Sequence, residues 1–232
     1  MKVAIMQPYF FPYIGYFQLI DAVDKFIVYD DVNYINRGWI NRNNILINGR
    51  AGLISVPLQG ASQNKLIKDI APVADEKWKN TLLKTIEHNY KKAPFFSVVF
   101  NMICQVLNSN SSSISELNYK SIIMICKYLG ITTEFVKTSE KYQNSELKGL
   151  YRILDICKKE GATHYFNPIG GTELYDRELF RKNALSLSFL KSNLEPYEQF
   201  QHEFIPALSI LDVLMFRDTA AIKKMLLNYN LE

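Results

Sequence analysis

The sequence predicts an α/β protein with a Rossmann-like parallel sheet, flanking helices, a β-hairpin insertion and a helical insertion. Short apolar runs alternate with segments of helical periodicity in residues 2–29 and again in residues 133–190, a pattern typical of parallel sheets with crossover helices. The runs are too short for helices and apolar throughout, as expected of strands buried on both faces. We expect one domain over residues 1–232, in which residues 44–74 form a hairpin-and-loop insertion and residues 75–130 form a helical insertion.

The first strand–helix–strand unit is predicted at the start of the chain. Residues 3–6 are an apolar run suited to a buried strand, which must stop at Pro8 because proline has no backbone N–H to donate. Apolar residues recur at helical spacing from Tyr13, and residues 25–29 form a second apolar run. This order forms a parallel βαβ unit whose loop lies at the carboxyl edge of the sheet, where open α/β sheets bind ligands.

Aromatic side chains crowd the loop that follows the first strand. Loops are normally polar, so this aromatic content needs an explanation. The residues form either a plug that closes the end of the core or a pocket wall with phenol hydroxyls facing a ligand. Asp30 and Asp31 end the second strand at the same edge, and this convergence of polar groups favours a site. We therefore expect Asp30 and Asp31 to act in catalysis. The residues expected to bind substrate here are Gln7, Tyr9, Tyr13, Gly15 and Tyr16.

Two insertions are expected after the second strand. Asn48-Gly49 between two apolar runs is a strong hairpin-turn signal, and the polar loop at residues 59–65 is either a connector, as most surface loops are, or a lid. Three helices are expected next, starting at Asp75, at Pro94 and at Ser113, the last of them closed by Gly130.

Strands and helices alternate again from residue 133. We expect strands at residues 133–137, 163–166 and 185–190, helices after Ser145 and after Thr172, and closing helices at residues 206–216 and 218–228. With the first two strands, these complete a parallel sheet of five strands with crossover helices.

Composition narrows the class of protein and its partners. The chain has 48% hydrophobic and 22% charged residues, which is ordinary for a soluble globular protein, and no apolar run long enough to span a membrane. A net charge of +4 without a long basic run indicates no nucleic-acid partner. It suits a small anionic substrate, although many enzymes of neutral substrates have a similar charge. Only Lys2 precedes the first strand, so we expect no signal peptide and a cytoplasmic location.

The cysteines predict neither a metal site nor a redox motif. Cys104, Cys126 and Cys157 each lie among aliphatic residues, and no Cys-x-x-Cys pair occurs. We expect buried thiols in a reducing compartment. The sequence indicates no metal and names no cofactor; adjacent Asp30 and Asp31 are only a weak signal for a divalent ion.

Two further segments offer polar groups to a substrate. Asn167, Gly170, Gly171 and Thr172 follow one strand and precede a predicted helix, where backbone amides attract anions and Thr172 could cap; the alternative is a simple glycine turn. After the second strand, Arg37, Asn41 and Arg42 are expected to bind substrate, since arginine forks onto phosphate or carboxylate. The alternative is that one or both arginines pair with Asp30 or Asp31.

His202 is the best candidate for a general base. It lies in a polar loop before a predicted helix, and histidine titrates near neutral pH. A single histidine is more often structural, so this alternative stays open. Asp212 falls in an otherwise apolar helix, where it either orients a group of the site or faces water.

Four stretches of the chain have a distinctive sequence. They are residues 6–20 (Met-Gln-Pro-Tyr-Phe-Phe-Pro-Tyr-Ile-Gly-Tyr-Phe-Gln-Leu-Ile), 29–43 (with Tyr-Asp-Asp-Val-Asn-Tyr and Arg-Gly-Trp-Ile-Asn-Arg-Asn), 166–171 (Phe-Asn-Pro-Ile-Gly-Gly) and 204–212 (Phe-Ile-Pro-Ala-Leu-Ser-Ile-Leu-Asp). Together they resemble the WbqC-like family over the whole chain. The resemblance implies a transferase of bacterial surface-polysaccharide (O-antigen type) biosynthesis, acting on a nucleotide-activated sugar or transferring a small acyl-type group to one.

The opening loop also resembles, more weakly, the nucleotidylyltransferase superfamily. In that superfamily a His-x-Gly-His loop grips triphosphate; here the stretch is Tyr13-Ile14-Gly15-Tyr16, with both histidines replaced by tyrosine. Tyrosine can hydrogen-bond a phosphate but carries no positive charge near neutral pH, which puts ordinary nucleotidyl transfer in doubt. The alternative function is therefore a non-catalytic nucleotide- or sugar-binding protein. If this fold is shared, the two phenol hydroxyls are expected to point into the cleft beside Gln7 and the Gly170-Gly171 amides.

Overall fold

A computed structural model describes residues 1–200 and 203–232. The strands are β1 (Lys2–Met6), β2 (Lys25–Val28), β3 (Arg42–Ile47), β4 (Arg50–Ser55), β5 (Glu134–Val136), β6 (His164–Pro168), β7 (Ser186–Ser192) and β8 (Tyr229–Leu231). The α-helices are α1 (Ile14–Asp21), α2 (Lys77–Tyr90), α3 (Phe96–Asn108), α4 (Ile114–Leu129), α5 (Gly149–Lys159), α6 (Arg177–Lys182), α7 (Ile210–Phe216) and α8 (Thr219–Leu226). Short 3₁₀ helices occupy Ile67–Asp69, Ser139–Tyr142 and Ile169–Leu174.

The main sheet has the strand order β5-β2-β1-β6-β7-β8. Its first five strands are parallel, which confirms the predicted α/β class, and β3 and β4 form a separate antiparallel hairpin. From β1 the chain passes through α1 to β2 on one side, whereas from β6 it passes through α6 to β7 on the other side. The loops that follow β1 and β6 therefore diverge, and the place where they part is the topological switch point of the sheet.

Two cores cover the two faces of the sheet. Ala4 of β1 packs in the core that contains helices α1–α4, α7 and α8, whereas Val3 and Ile5 pack in the core that contains α5 and α6. Successive side chains of a strand point to opposite faces, so this alternation also decides the direction of each residue that follows a strand end.

Local signals account for the hairpin and for the ends of α4. Asn48 and Gly49 have φ values of +50° and +72°, as the predicted two-residue turn requires. Ser113 accepts a hydrogen bond from the backbone N–H of Glu116 at 3.2 Å, and Gly130 ends the helix with a left-handed φ of +72°. The sequence predicted all of these.

The sequence missed one strand and placed one helix cap wrongly. The closing helix ends at Leu226, close to its predicted end, and Tyr229–Leu231 then forms β8 antiparallel to β7, a strand too short to show a hydrophobic period. Thr172 caps no helix: it lies within a 3₁₀ segment, and α6 begins later, where Asp176 accepts from the N–H of Glu178 at 2.9 Å. No helix in residues 1–200 or 203–232 combines the length and apolar character needed to cross a membrane.

Candidate functional site

Polar side chains at the ends of three neighbouring strands share one face at the carboxyl edge of the sheet. Met6 pairs with Val28, so Gln7 and Tyr29 come directly after the ends of β1 and β2 at one level. Because Ile5 and Ile27 face the core of α5 and α6, alternation directs Gln7 and Tyr29 to that face as well. Asn167, near the end of β6, follows Phe166 of the opposite core and thus shares the same face.

A buried ion pair between Asp31 and Arg152 lies at this edge. The Arg152 guanidinium donates to the Asp31 carboxylate and, from Nη1, to the Asp31 carbonyl oxygen at 3.1 Å. Its Nε donates to Asn144 at 2.9 Å, and its Cζ lies 5.1 Å from the centre of the Tyr29 ring. The Ser139 hydroxyl donates to the same Asp31 carboxylate. Asp31 is thus the counterion that orients Arg152, which does not fit the expected role of a free catalytic carboxylate.

A cleft of about 640 Å³ opens beside this ion pair. We call it the β2 cleft, since it lies between the end of β2, the segment Ile67–Asp69 and the loop before α5. Its polar lining includes Tyr29, Asp31, Lys68, Glu140, Lys148 and Arg152. The size is that of a small-molecule site, and the position is the edge at which open α/β sheets bind ligands.

Asp30 points to the opposite face of the sheet from Asp31. Its carboxylate accepts hydrogen bonds of 2.7 Å from Ser115 of α4 and from Thr138 after β5. Burial raises the pKa of Asp30, although these hydroxyls oppose the increase. Asp30 is 4% exposed and joins α4 to the sheet, so it does not fit the catalytic role expected from the sequence. In the described part of the chain, no three His, Cys, Asp or Glu residues are grouped so as to hold a metal ion.

Side chains from distant segments hold the opening loop in place. Asn43 Nδ2 donates to the carbonyl oxygens of Phe10 at 3.0 Å and Phe11 at 2.7 Å, and Ser209 Oγ donates to the latter at 2.7 Å. Asn118 Nδ2 donates to the carbonyl of Pro8 at 2.9 Å. These bonds fix a backbone in which Phe11 has an unfavourable φ of +40°. Phe10 and Phe11 are buried, so for these two rings the core-plug interpretation applies.

The tyrosines of the opening loop divide into two groups. Tyr16 is 2% exposed and its hydroxyl donates to the carbonyl of Gln7 at 2.9 Å, so the expectation that this hydroxyl faces a ligand is wrong. Tyr9 and Tyr13 are half-buried, and burial raises the pKa of both phenols. A Cβ on Gly15 would lie 2.4 Å from the Tyr13 hydroxyl, which shows that the glycine makes room for this ring.

Arg42 and Asn41 stabilise the loop that precedes β3. Arg42 Nε donates to the carbonyl of Gly38 at 3.0 Å, its Nη2 donates to the carbonyl of Arg37, and its guanidinium lies 5.9 Å from the ring of Trp39. Asn41 donates to Val56 at 2.8 Å. Two of its five donors are therefore bonded to backbone carbonyls, and no aspartate among the described residues pairs with it, so the alternative pairing does not fit. The ligand role expected for Arg42 stays a prediction. The Arg37 side chain is exposed.

The segment after β6 is organised around Asn167. Its amide Nδ2 donates to the carbonyl of Pro168 at 3.1 Å, and its Oδ1 accepts from the Tyr165 hydroxyl at 3.2 Å. A Cβ on Gly171 would lie 1.9 Å from Asn167 Nδ2, so this glycine permits a close approach within the protein. Gly170 and Thr172 are exposed at the same edge, where their role towards a substrate stays a prediction.

Asp212 is buried and holds the segment before α7. Its carboxylate accepts hydrogen bonds from Tyr90 at 2.7 Å, Tyr197 at 2.5 Å and Gln199 at 2.6 Å, and burial raises its pKa. It does not face water, and its partners are structural. His202, the expected general base, lies outside the described residues.

Arg152 and Lys68 line the candidate site, and sequence reasoning missed both. Arg152 lies beside Ile153 and Ile156 on the buried side of α5, and an arginine there needs a buried counterion. The pair Asp30-Asp31 was the available signal for such a partner. Lys68 lies in a loop segment with no regular period, so nothing local marked it.

Comparisons with known proteins agree with the first resemblance. The model of the WbqC-like protein family matches residues 7–224. The chain is 31% identical over 217 residues to the uncharacterized protein Rv1507c of Mycobacterium tuberculosis (strain ATCC 25618 / H37Rv), an alignment that covers 92% of each chain. No solved structure matches the chain. The second resemblance, to nucleotidylyltransferases, gains no support from these comparisons.

Proposed function

Because the chain belongs to the WbqC-like protein family, we propose that it is a transferase of bacterial surface-polysaccharide biosynthesis whose substrate is a nucleotide-activated sugar. The sugar is either the group transferred or the acceptor of a small acyl-type group. The observation that carries this proposal is the buried Asp31–Arg152 pair beside the β2 cleft, because it presents an oriented guanidinium at the ligand-binding edge of the sheet.

The groups around the cleft suit the two ends of such a substrate. Arg152, Lys68 and Lys148 supply positive charge for the phosphates of an activated sugar. Gln7 and Tyr29, on the same face, offer amide and hydroxyl groups of the kind that bind sugar hydroxyls. Either transfer requires removal of a proton from the attacking hydroxyl or amine, and His202 remains the residue proposed for that step on sequence grounds.

A second candidate, a protein that binds the same ligand without turnover, is favoured by one observation. The carboxylates of both Asp30 and Asp31 are engaged by protein partners, so neither is poised as a base. This rival predicts tight binding of a nucleotide sugar and no product.

Incubation with nucleotide-linked amino sugars and candidate acyl donors, followed by mass spectrometry, tests the proposal. We expect one pair to form a product, with loss of activity in Lys68→Met and none in Lys84→Met, whose lysine is exposed on α2 away from the cleft. If Lys68→Met still forms product, the role proposed for the cleft is wrong. If the protein binds members of the panel saturably and forms no product, the proposal that it is an enzyme is wrong.

A further inference from the structure

An ion pair spans the β2 cleft from one wall to the other. Lys68 Nζ, on the segment Ile67–Asp69, lies 2.8 Å from Glu140 Oε1, on the segment Ser139–Tyr142. Glu140 is well exposed, with 61% of its side chain accessible, whereas Lys68 is 24% accessible. An exposed ion pair of this kind contributes little stability, because water competes for both charges. A better anion could therefore displace Glu140 from Lys68 at small cost.

Donor groups of Arg152 remain beside the same cleft. A guanidinium has five N–H donors, and among the described residues Arg152 uses one for Asn144 and two for Asp31. The other two N–H donors are bonded to no described residue except the neighbouring Tyr29 hydroxyl, and Arg152 lines the cleft although only 4% of its side chain is exposed. Because Asp31 holds the guanidinium in place, little side-chain entropy is lost when a ligand binds it.

The start of α5 opens into the cleft. Lys148, at the N-cap, makes no side-chain hydrogen bond to the first turn in the described structure, and Gly149 begins the helix with a φ of +53°. Both residues line the cleft. The first backbone N–H groups of a helix lack partners within it and carry partial positive charge, so they add to the attraction for an anion.

Glu140 lowers the net positive charge of the β2 cleft. Lys68, Lys148 and Arg152 oppose Asp31 and Glu140, a balance of +1, and Asp31 is committed to Arg152. If Glu140 moves away, the residues that line the cleft have a balance of +2, which suits the two charges of a phosphoryl group. Asp69, whose carboxylate lies 3.8 Å from Lys68 Nζ, is exposed and outside this lining.

We propose that the β2 cleft is a phosphate-binding subsite in which Glu140 and the ligand compete for Lys68. Binding of a phosphoryl group opens the Lys68–Glu140 pair and joins Lys68, Arg152 and the start of α5 around the same anion. The choice of a phosphate over another dianion rests on the proposed function, in which the substrate is an activated sugar.

Calorimetric titration with inorganic pyrophosphate at constant ionic strength tests this subsite without a need for turnover. The variants are Lys68→Met and Glu140→Gln, with Lys84→Met and Glu87→Gln on the exposed side of α2 as matched controls. We expect saturable binding that weakens by about 10-fold or more in Lys68→Met and tightens several-fold in Glu140→Gln, with both controls unchanged. Thermal melts of all variants establish that each is folded.

The opposite signs of the two effects are the decisive result. The subsite would be overturned if pyrophosphate binding weakened in Glu140→Gln or if neither variant altered it. It would also be overturned if sodium chloride of equal ionic strength gave the same titration signal as pyrophosphate. The nucleotide-sugar panel, run on the same variants, separates the two proposals. Product formation that survives Lys68→Met overturns the subsite alone, whereas pyrophosphate binding with the expected signs and no product supports the subsite and counts against the transferase.

Discussion

Arg152 and Asp31 connect α5 to the end of β2 through two different groups of the aspartate. The guanidinium donates to the Asp31 carboxylate and also, at 3.1 Å, to its carbonyl oxygen, and both side chains are almost fully buried. The pair therefore fixes the position of a cationic group and the course of the chain as it leaves the strand.

The first prediction concerns this pair. Arg152→Met leaves the Asp31 carboxylate buried without a counterion and should cost about 3–5 kcal/mol of unfolding free energy. The double variant Arg152→Met/Asp31→Asn removes the stranded charge, so it should be more stable than Arg152→Met alone. Urea denaturation of both single variants and the double variant measures the coupling. If the losses of unfolding free energy in the two single variants added up to the loss in the double variant, the two side chains would not be coupled.

Arg42 should matter for stability whether or not it also binds a ligand. Its guanidinium hydrogen-bonds the carbonyls of Gly38 and Arg37, so Arg42→Ala should lower the unfolding free energy by about 1–3 kcal/mol. Arg50→Ala, at an exposed position of β4, is the matched control and should be nearly neutral. Thermal unfolding and pyrophosphate titration of both variants check this. A selective loss of affinity in Arg42→Ala would support the ligand role expected from the sequence.

Removing single hydroxyls separates the two tyrosines of the opening loop. Tyr16→Phe leaves the Gln7 carbonyl without its buried donor and should cost about 1–3 kcal/mol of stability, with little direct effect on ligand binding. Tyr13→Phe, at a half-buried position, should leave stability nearly unchanged. Denaturation curves of the two variants, recorded side by side, give the comparison. Equal stability of both would mean that the Tyr16 hydrogen bond contributes nothing.

Adjacent glycines after β6 should respond differently to the same substitution. The Cβ of Gly171→Ala would lie 1.9 Å from Asn167 Nδ2, so the Asn167 side chain must move, at a cost of about 1–3 kcal/mol. Gly170→Ala has open space around the new atom among the described residues and should be nearly neutral. Melting temperatures of the two proteins provide the test, and a similar loss in both would indicate a backbone effect common to the two positions.

Acid sensitivity should arise in part from Glu160 at the end of α5. Burial raises the pKa of Glu160, but hydrogen bonds from Lys25, Tyr142 and Lys141 outweigh this and lower the pKa to about 2. The folded-state pKa lies below the unfolded value of about 4.3. The resulting stability is therefore present at neutral pH and is lost as the pH falls from about 4.3 towards 2.

Replacement of the Glu160 carboxylate should remove this pH-dependent part of the stability. Glu160→Gln should cost about 3 kcal/mol at pH 7, from 1.36 kcal/mol per pKa unit, and much less near pH 2. Urea midpoints at several pH values measure the difference from the parent. Glu178→Gln, at an exposed position of α6, is the control. A difference that stays constant over this pH range would show that the carboxylate is not the source.

Much of the fold could be predicted because its signals are local. The turn at Asn48-Gly49, the cap at Ser113 and the stop at Gly130 each depend on a few adjacent residues. The strand β8 could not be predicted this way, since its three residues gain their structure from pairing with β7. Thr172 failed as a cap because the chain continues in a 3₁₀ turn until Asp176.

The candidate site was predicted at the level of the sheet edge and not of individual contacts. Alternation along β2 could have indicated that Asp30 and Asp31 face opposite sides. The partner of Asp31, however, lies 121 positions further along the chain, and the bonds that engage Arg42 come from carbonyl groups, which no side-chain pattern reveals. Long-range packing and backbone acceptors therefore account for most of the differences between the predicted and the observed contacts of the site residues.

The anchoring of the opening loop bears on how the chain matures during synthesis. Ser209 donates to the carbonyl of Phe11 across 198 positions of sequence, and Tyr13 forms a backbone bridge with the same serine. Because synthesis proceeds from the amino end, Phe11 leaves the ribosome 198 residues before Ser209. In a nascent chain the Phe11 carbonyl can therefore bond Asn43 early, but it gains its second donor, and Tyr13 its backbone bridge, only when the segment around Ser209 has emerged.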